Sequence, residues 1–198
     1  DRPVVVCVAR DHPGVEVTPR PVVDGTRRFA VATADEVPVD GGSVWAFSAD
    51  PDATLRNVYD RGSFAVACDS LGLAEAMLEV TVDYAGTRRQ FGRPIGSFQA
   101  VKHTCADMYV QVRVGRELVA AAEGALLEGR ADAWVAVSMA KSQVTAAAVT
   151  VAGQAMQMHG GIGYTWERGV HAYLKRAALN RTLFGSPAAH RRRLAGRY

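Results

Sequence analysis

The chain has 198 residues, enough for one domain or for one domain with part of another. Its 48% of hydrophobic and 22% of charged residues are typical of a folded globular protein and exclude a disordered chain. The net charge of +3, without a dense Lys/Arg stripe interleaved with aromatic residues, argues against nucleic acid as a partner.

The cysteines and the most apolar segment restrict the compartment. Cys7, Cys68 and Cys105 are widely spaced and form no CxxC pair, which argues against a disulfide framework or a zinc site. Residues 134–158 are the most apolar run, but they include Lys141 and other polar side chains and are too polar to face lipid. No stretch resembles a signal peptide. We therefore expect a cytoplasmic protein with no metal site and no membrane span.

Residues 1–50 predict short β-strands. Residues 4–9 form a continuous β-branched run, typical of a strand buried on both faces, whereas residues 15–18 and 28–33 alternate. About three such strands cannot bury a core on their own. This part is predicted to be the C-terminal part of a larger β-domain. Because residue 1 is not Met and a strand begins almost at once, we expect the chain to be a piece of a longer protein.

Residues 51–198 predict a helical domain. Residues 55–83 are apolar on most sides, as in a helix buried within a bundle. Ser97 is expected to cap a second helix, which has the clearest apolar stripe and runs to about Leu126. A third helix, residues 133–158, ends at the glycines that follow His159. Two shorter helices are expected near residues 168–180 and 187–196. The predicted fold class is mainly α, a four-helix-bundle-type domain preceded by a partial β-domain.

Two glycine-containing loops indicate a family. The first contains Arg88-x-x-Phe91-Gly92, and the second is Gln157-Met158-His159-Gly160-Gly161. In this order and in this helical context, they resemble the C-terminal domain of acyl-CoA dehydrogenases, including proteins of the actinobacterial FadE type. The resemblance covers about residues 55–198. Residues 13–15 and 34–38 resemble strands of the family's middle β-domain.

The resemblance implies that the two loops contact FAD. A planar guanidinium such as that of Arg88 offers bidentate hydrogen bonds to phosphate oxygens, and in the family the matching arginine binds the FAD of the neighbouring subunit. Glycines without a Cβ let the backbone approach the adenosine diphosphate portion. The implied cofactor-binding residues are Arg88, Gln90, Phe91, Phe98, Gln99, Gln157, Met158, Gly160 and Gly161. A flavin shared between subunits implies a dimer-of-dimers tetramer.

The resemblance also implies an oxidoreductase of fatty acid or steroid degradation. Its reaction would be the α,β-dehydrogenation of an acyl-CoA thioester, with FAD as the hydride acceptor and electron-transfer flavoprotein as the redox partner. The α-proton is barely acidic, so a positioned base is needed. Most family members carry a glutamate in a loop after the fourth helix, where this chain has Phe184. Another branch carries it in the first helix, where this chain has Gly62. Both positions lack a carboxylate.

Several interpretations of the missing base remain open at this point. The chain could be a non-catalytic partner in a hetero-oligomer, an arrangement found among actinobacterial enzymes that act on steroid side chains. Asp60 or Asp69 could supply a displaced carboxylate from the first helix, although one helical turn moves a group by about 5 Å. A flavin oxidase or monooxygenase would not need the base. A helical scaffold that holds no flavin is a further alternative, and such a protein would not be an enzyme.

Overall fold

The structure is a computed structural model that describes residues 3–48, 50–167 and 169–197. Two compact units are present, Asp1–Val58 and Tyr59–Tyr198. The boundary falls inside the first helix, seven residues after the helix begins at Pro51. We describe each unit by itself.

The first unit contains four short strands in two antiparallel pairs. Strand β1 (Val4–Val6) pairs with β4 (Val44–Ala46), and β2 (Val15–Arg20) pairs with β3 (Phe29–Ala34). The two alternating segments are thus confirmed as strands. The expectation of a long strand over residues 4–9, buried on both faces, is wrong. Only Val4–Val6 form a strand, and all three valines are exposed, because among the described residues β1 has one neighbouring strand, β4.

The first helix, α1 (Pro51–Thr87), starts earlier than its apolar pattern predicts. Asp50 accepts a hydrogen bond from the backbone N–H of Asp52, and Pro51 occupies the first helical position, where a missing N–H costs nothing. The prediction that this helix is buried on most sides is wrong. Its buried residues follow one stripe at spacings of three and four, whereas Val58 and Val82 are exposed on the other faces.

The second unit is a helical bundle. After α1 come a two-residue hairpin of β5 (Arg89–Gln90) and β6 (Arg93–Pro94), α2 (Gln99–Leu127), α3 (Ala133–His159), α4 (Val170–Thr182) and α5 (Pro187–Ala195). The mainly α fold class, with three long and two short helices, is confirmed. Helices α1 to α4 share one core, to which Met77, Met108, Val151 and Ala177 each contribute a buried side chain.

Helix α3 lies at the centre of this bundle. It contacts α2, α4 and α5, and every inward residue expected from its pattern is buried (Val137, Val144, Ala148, Val151, Ala155). By length and composition alone, Ala133–Tyr164 would suffice to cross a bilayer, but most of its apolar window is buried inside the protein. The many alanines allow the neighbouring helices to approach closely.

The start of α2 differs from the prediction. Phe98, not Ser97, is the residue before the first helical turn, and no side chain caps that turn. The Ser97 hydroxyl instead donates to the carbonyl of Pro94, 2.7 Å away, and so closes the short 3-10 turn Ile95–Ser97. A serine hydroxyl can accept from a backbone N–H at the start of a helix or donate to a nearby backbone carbonyl. Here Ser97 donates to the carbonyl and does not cap α2.

Candidate functional site

The loop between α1 and α2 is a tight hairpin. Phe91 and Gly92 connect β5 to β6 and both have positive φ angles, +51° and +78°, as a type I′ turn requires. Arg89 stabilises this turn by donating from Nη2 to the carbonyl of Gly92 over 2.9 Å. The turn directs the Phe91 side chain away from the bundle.

Phe91 and Arg88 are presented to the outside of this chain. Phe91 is 91% exposed, although a phenylalanine in the left-handed region is uncommon and costs free energy. Its ring contacts only the edge of Phe98, with centroids 6.1 Å apart. Arg88 is exposed, and its side chain has no hydrogen-bond or ion-pair partner within the described part of the chain. An exposed aromatic ring beside a free guanidinium is the kind of surface that another molecule covers.

The remaining predicted residues of this loop take different positions. The guanidinium of Arg93 lies 4.2 Å from the centre of the Phe98 ring, which is half-buried. Gln99 is exposed in the first turn of α2. The Gln90 amide is also exposed, and it donates to the backbone carbonyl of Arg89 over 2.8 Å.

The second loop lies at the end of α3, and one aromatic contact brings it to the first. The ring of Tyr84, in the last turn of α1, stacks on the ring of His159 with centroids 4.4 Å apart. Nδ1–H of His159 donates to the carbonyl of Ala155, which leaves its buried Nε2 without a partner among the described residues. The two loops predicted to act together therefore lie at the same end of the bundle.

The glycines of the second loop leave open space. Gly160 has a φ of +59°, in the region that favours glycine, so the backbone conformation alone explains why this residue is a glycine. Gly161 has no positive φ, and a Cβ built on it would meet no atom within 4 Å. This chain therefore imposes no steric need for glycine at Gly161, whereas a ligand that approaches the backbone would. Gln157 is exposed and Met158 half-buried beside it.

The two positions without a base meet in the structure. Phe184 follows α4, Gly62 lies in α1, and a Cβ on Gly62 would stand 2.6 Å from Cζ of Phe184. Real Cβ atoms do not approach a ring this closely, so the phenylalanine occupies the space that a side chain at Gly62 would need. The site offers an aromatic ring where either branch of the family would offer a carboxylate.

Asp60 does not face this space as a free carboxylate. It is buried, and both of its oxygens accept from the guanidinium of Arg193 in α5, with 3.1 Å between Nη2 and Oδ2. Arg193 also lies over the ring of Trp134, 4.8 Å from its centre. Asp60 lies ten residues inside α1 and not near the helix start. Its geometry is that of a buried ion pair which attaches α5 to α1.

Asp69 is likewise engaged. Its carboxylate accepts two bonds from Arg176, at 3.1 and 2.6 Å, and one from the amide of Asn180 at 2.6 Å. The side chains of Asp69 and Arg176 are 27% and 30% exposed. This network joins α1 to α4. The pairing accounts for the carboxylate without a catalytic role.

Three donors that the sequence analysis did not identify surround the Phe184 turn. The Tyr59 hydroxyl and Nε2–H of His190 donate to the carbonyl of Phe184 over 2.6 and 2.8 Å, and the Lys141 ammonium donates to the carbonyl of Gly185 over 2.8 Å. The donors come from three helices. Tyr59 and Lys141 are 125 and 44 positions from the residues whose carbonyls they bind, whereas His190 is 6 positions from Phe184. Sequence spacing alone could not have brought Tyr59 and Lys141 to this turn.

Burial changes the protonation of two of these donors. Burial lowers the pKa of the fully buried Lys141 to about 8, because the charged form loses its hydration. Burial also lowers the pKa of His190, although its hydrogen bond to the Phe184 carbonyl opposes this. The neutral tautomer with the proton on Nε2 fits the geometry, since Nδ1 is buried without a partner among the described residues.

Comparison with known proteins identifies the class. The domain described above is a helical bundle with two glycine-containing loops at one end. The family defined as "Acyl-CoA dehydrogenase, C-terminal domain" matches residues 55–198, so this chain belongs to the acyl-CoA dehydrogenase family, a family of oxidoreductases.

Individual relatives agree. The acyl-CoA dehydrogenase IpdE2 of Mycobacterium tuberculosis is 38% identical over 89% of this chain and 50% of its own length. The butyryl-CoA dehydrogenase structure from Megasphaera elsdenii has a TM-score of 0.90 at 26% identity, over 97% of this chain and 50% of that one. A structure named Tcur3481-Tcur3483 steroid ACAD G363A variant has a TM-score of 0.82 at 28% identity, over 96% and 50%. The chain spans about half the length of these relatives.

Proposed function

We propose that this chain is a flavin-contacting subunit of an acyl-CoA dehydrogenase assembly and lacks a catalytic base of its own. The observation that carries the proposal is the pairing of Phe91, 91% exposed in an unfavourable backbone conformation, with the free guanidinium of Arg88. A fold that maintains this arrangement without an internal partner is suited to an external one.

The residues present fit FAD. Arg88 would bind pyrophosphate oxygens, and the exposed Phe91 would cover an apolar part of the cofactor. Gly161 leaves the backbone open where a Cβ would otherwise project. Gln90, Gln99 and Gln157 add exposed amides nearby. When bound, FAD supplies the acceptor for a hydride. Since the Tyr84–His159 contact joins the loops, one ligand could engage both.

The absence of a catalytic base adds a second part to the proposal, that another subunit supplies the base. Phe184 and Gly62 leave no carboxylate at either base position, and the candidate carboxylates Asp60 and Asp69 are bound to arginines. In our proposal the chain completes a flavin site in an oligomer in which another subunit removes the α-proton. The alternative is a purely structural partner that retains the bundle for assembly alone. The exposed side chains of Arg88 and Phe91 favour the flavin-contacting subunit over the purely structural partner.

The proposal extends to the partners of the whole protein. The assembly would take an acyl-CoA substrate in the cytoplasm, would pass electrons to electron-transfer flavoprotein, and would be a dimer of dimers. A steroid-derived acyl group is consistent with the solved structure whose name contains "steroid ACAD".

The visible spectrum of the protein expressed from its intact reading frame, alone and with candidate partner chains, tests this proposal. We expect flavin absorbance bands and one FAD for every two chains of a mixed oligomer. An oligomer that assembles without any flavin would support the structural partner and contradict the flavin-contacting subunit. One FAD per chain in a homo-oligomer would contradict the proposal that this chain completes a flavin site together with a second kind of subunit.

A further inference from the structure

The turn between α4 and α5 has a backbone that needs support. Phe184 and Gly185 have φ angles of +50° and +88° in succession. For glycine this conformation is inexpensive, but for phenylalanine it is strained. Surrounding contacts must therefore hold Phe184 in place.

Three side chains supply such contacts from three helices. Tyr59 comes from α1, Lys141 from α3 and His190 from α5, and each donates to a carbonyl of Phe184 or Gly185. His190 is 1% exposed and Lys141 is fully buried. Bonds from three directions to two adjacent carbonyls fix the position of the peptide groups, and with them the direction in which the Phe184 side chain leaves the backbone.

The ring is also held on two sides. It meets the ring of Tyr59 edge-on, with centroids 6.0 Å apart and planes at 68°. It lies against the bare Cα of Gly62, where any Cβ would overlap it. Tyr59 in turn stacks on His190, with centroids 6.0 Å apart. The donors and the ring contacts thus belong to one cluster.

The presence of a lysine in this cluster needs a reason other than packing. Removing an ammonium group from water is unfavourable, and an unbranched apolar side chain of similar length would fill the space without that penalty. Among the described residues, the ammonium donates one hydrogen bond, to the Gly185 carbonyl. Lys141 is therefore explained by its bond to the turn.

We propose that Tyr59, Lys141 and His190 are positioning residues that fix Phe184 as an apolar wall at the place where acyl-CoA dehydrogenases carry their base. Phe184 remains 43% exposed, and its ring lies against Gly62. The functional meaning of this wall rests on the proposed function, whereas the positioning itself does not.

Fluorine NMR of the protein from the intact reading frame, with 4-fluorophenylalanine incorporated at position 184 alone through a reassigned stop codon, tests the positioning. Lys141→Met and Tyr59→Phe each remove one donor and keep most of the volume. The matched controls are Lys102→Met and Tyr109→Phe, which alter exposed side chains of α2. Flavin absorbance is recorded on the same samples.

We expect the fluorine resonance at position 184 to shift and broaden in Lys141→Met and Tyr59→Phe and to stay unchanged in both controls. In a Gly62→Ala background, where the ring is already displaced, the two changes should add no further shift. An unchanged resonance in both variants would overturn the proposal, as would an equal shift in the two controls. Tyr59→Phe removes a single hydroxyl and keeps the test available if Lys141→Met does not fold. A sample without flavin bands would contradict the proposed function only.

Discussion

The ring of Phe184 occupies the space in which a side chain at Gly62 would begin, with 2.6 Å between Cζ and a Cβ built on the glycine. The sequence resemblance aligns these two positions with those at which acyl-CoA dehydrogenases place their base, and in this chain they form one apolar contact. The ring of Phe184 therefore excludes any side chain, and with it any carboxylate, at position 62.

This contact predicts a change of sign in the effect of one substitution. Gly62→Ala should destabilise the protein by about 1–2 kcal/mol, because overlap with the ring exceeds the gain in helix propensity. With Phe184→Ala already present, the same change should stabilise it by up to about 1 kcal/mol. Gly72→Ala, in the same helix but with no atom near its Cβ, is the control and should be stabilising throughout. Urea unfolding of the four variants measures this, and purely additive effects at Gly62 and Phe184 would contradict the contact.

Lys141 predicts a specific dependence of stability on pH. Its pKa is about 8 in the folded protein and near 10.5 in the unfolded chain, so the folded state releases its proton first as the pH rises. Between these values the unfolded state binds more protons, and stability rises with pH by up to about 3 kcal/mol. The stabilisation is complete above pH 10.5 and is lost as the pH falls through 8.

Urea unfolding of wild type, Lys141→Met and Lys102→Met at several values in this pH range measures the effect. Other groups titrate there too, so the difference from wild type is the relevant quantity. Lys141→Met should lack the rise, and the exposed Lys102→Met should keep it. Parallel curves for wild type and Lys141→Met would show that Lys141 has an ordinary pKa.

Asp60 is predicted to stabilise the fold and not to act as a base. Asp60→Asn leaves Arg193 without its anionic partner, and because Arg193 is 29% exposed we expect a loss of about 2 kcal/mol of stability, below the value for a fully buried pair. Adding Arg193→Met should recover part of this loss. The measurement is thermal unfolding together with the rate of acyl-CoA turnover in the assembly. Normal stability with abolished turnover would instead identify Asp60 as the base.

The positions of the helices and of the two loops could be predicted from sequence, since local patterns determine them. The stripe of α2, the buried residues of α3 and the glycines after His159 all follow from spacing and capping. Which apolar residues are buried could not be predicted from the hydrophobic pattern alone. The valines of β1 and Val58 look like core residues in the sequence, but no described residue covers them and they are exposed.

The site around Phe184 could not be predicted for a different reason. Tyr59 and Phe184 are 125 positions apart, and Arg193 and Asp60 are 133 apart. Such pairs are set by how helices pack, which a single sequence does not record. Lys141 offered one signal, a lysine within an otherwise apolar and alanine-rich helix. A charge in that setting indicates a buried partner.

Because position 184 carries no carboxylate, we predict that one substitution there adds a base for proton abstraction. Phe184→Glu places a carboxylate on the supported turn, and its smaller side chain leaves Gly62 free of overlap. In the flavin-containing assembly, we expect added reduction of the flavin by acyl-CoA, seen as bleaching of its visible absorbance. Phe184→Gln has the same shape without the basic oxygen and should add none. Equal bleaching in both variants would show that position 184 does not face the substrate.

The flavin content of Arg88→Ala tests the central claim most directly. Arg88 has no partner in the described part of the chain, so its replacement should leave the fold and the oligomer unchanged. Loss of a charge-assisted contact worth about 1.5–3 kcal/mol should weaken FAD binding by roughly tenfold or more. Arg192→Ala, an exposed arginine of α5, is the matched control and should retain FAD. Loss of FAD from Arg88→Ala alone is the predicted result, and full flavin occupancy in both variants would contradict a role for this chain in binding the cofactor.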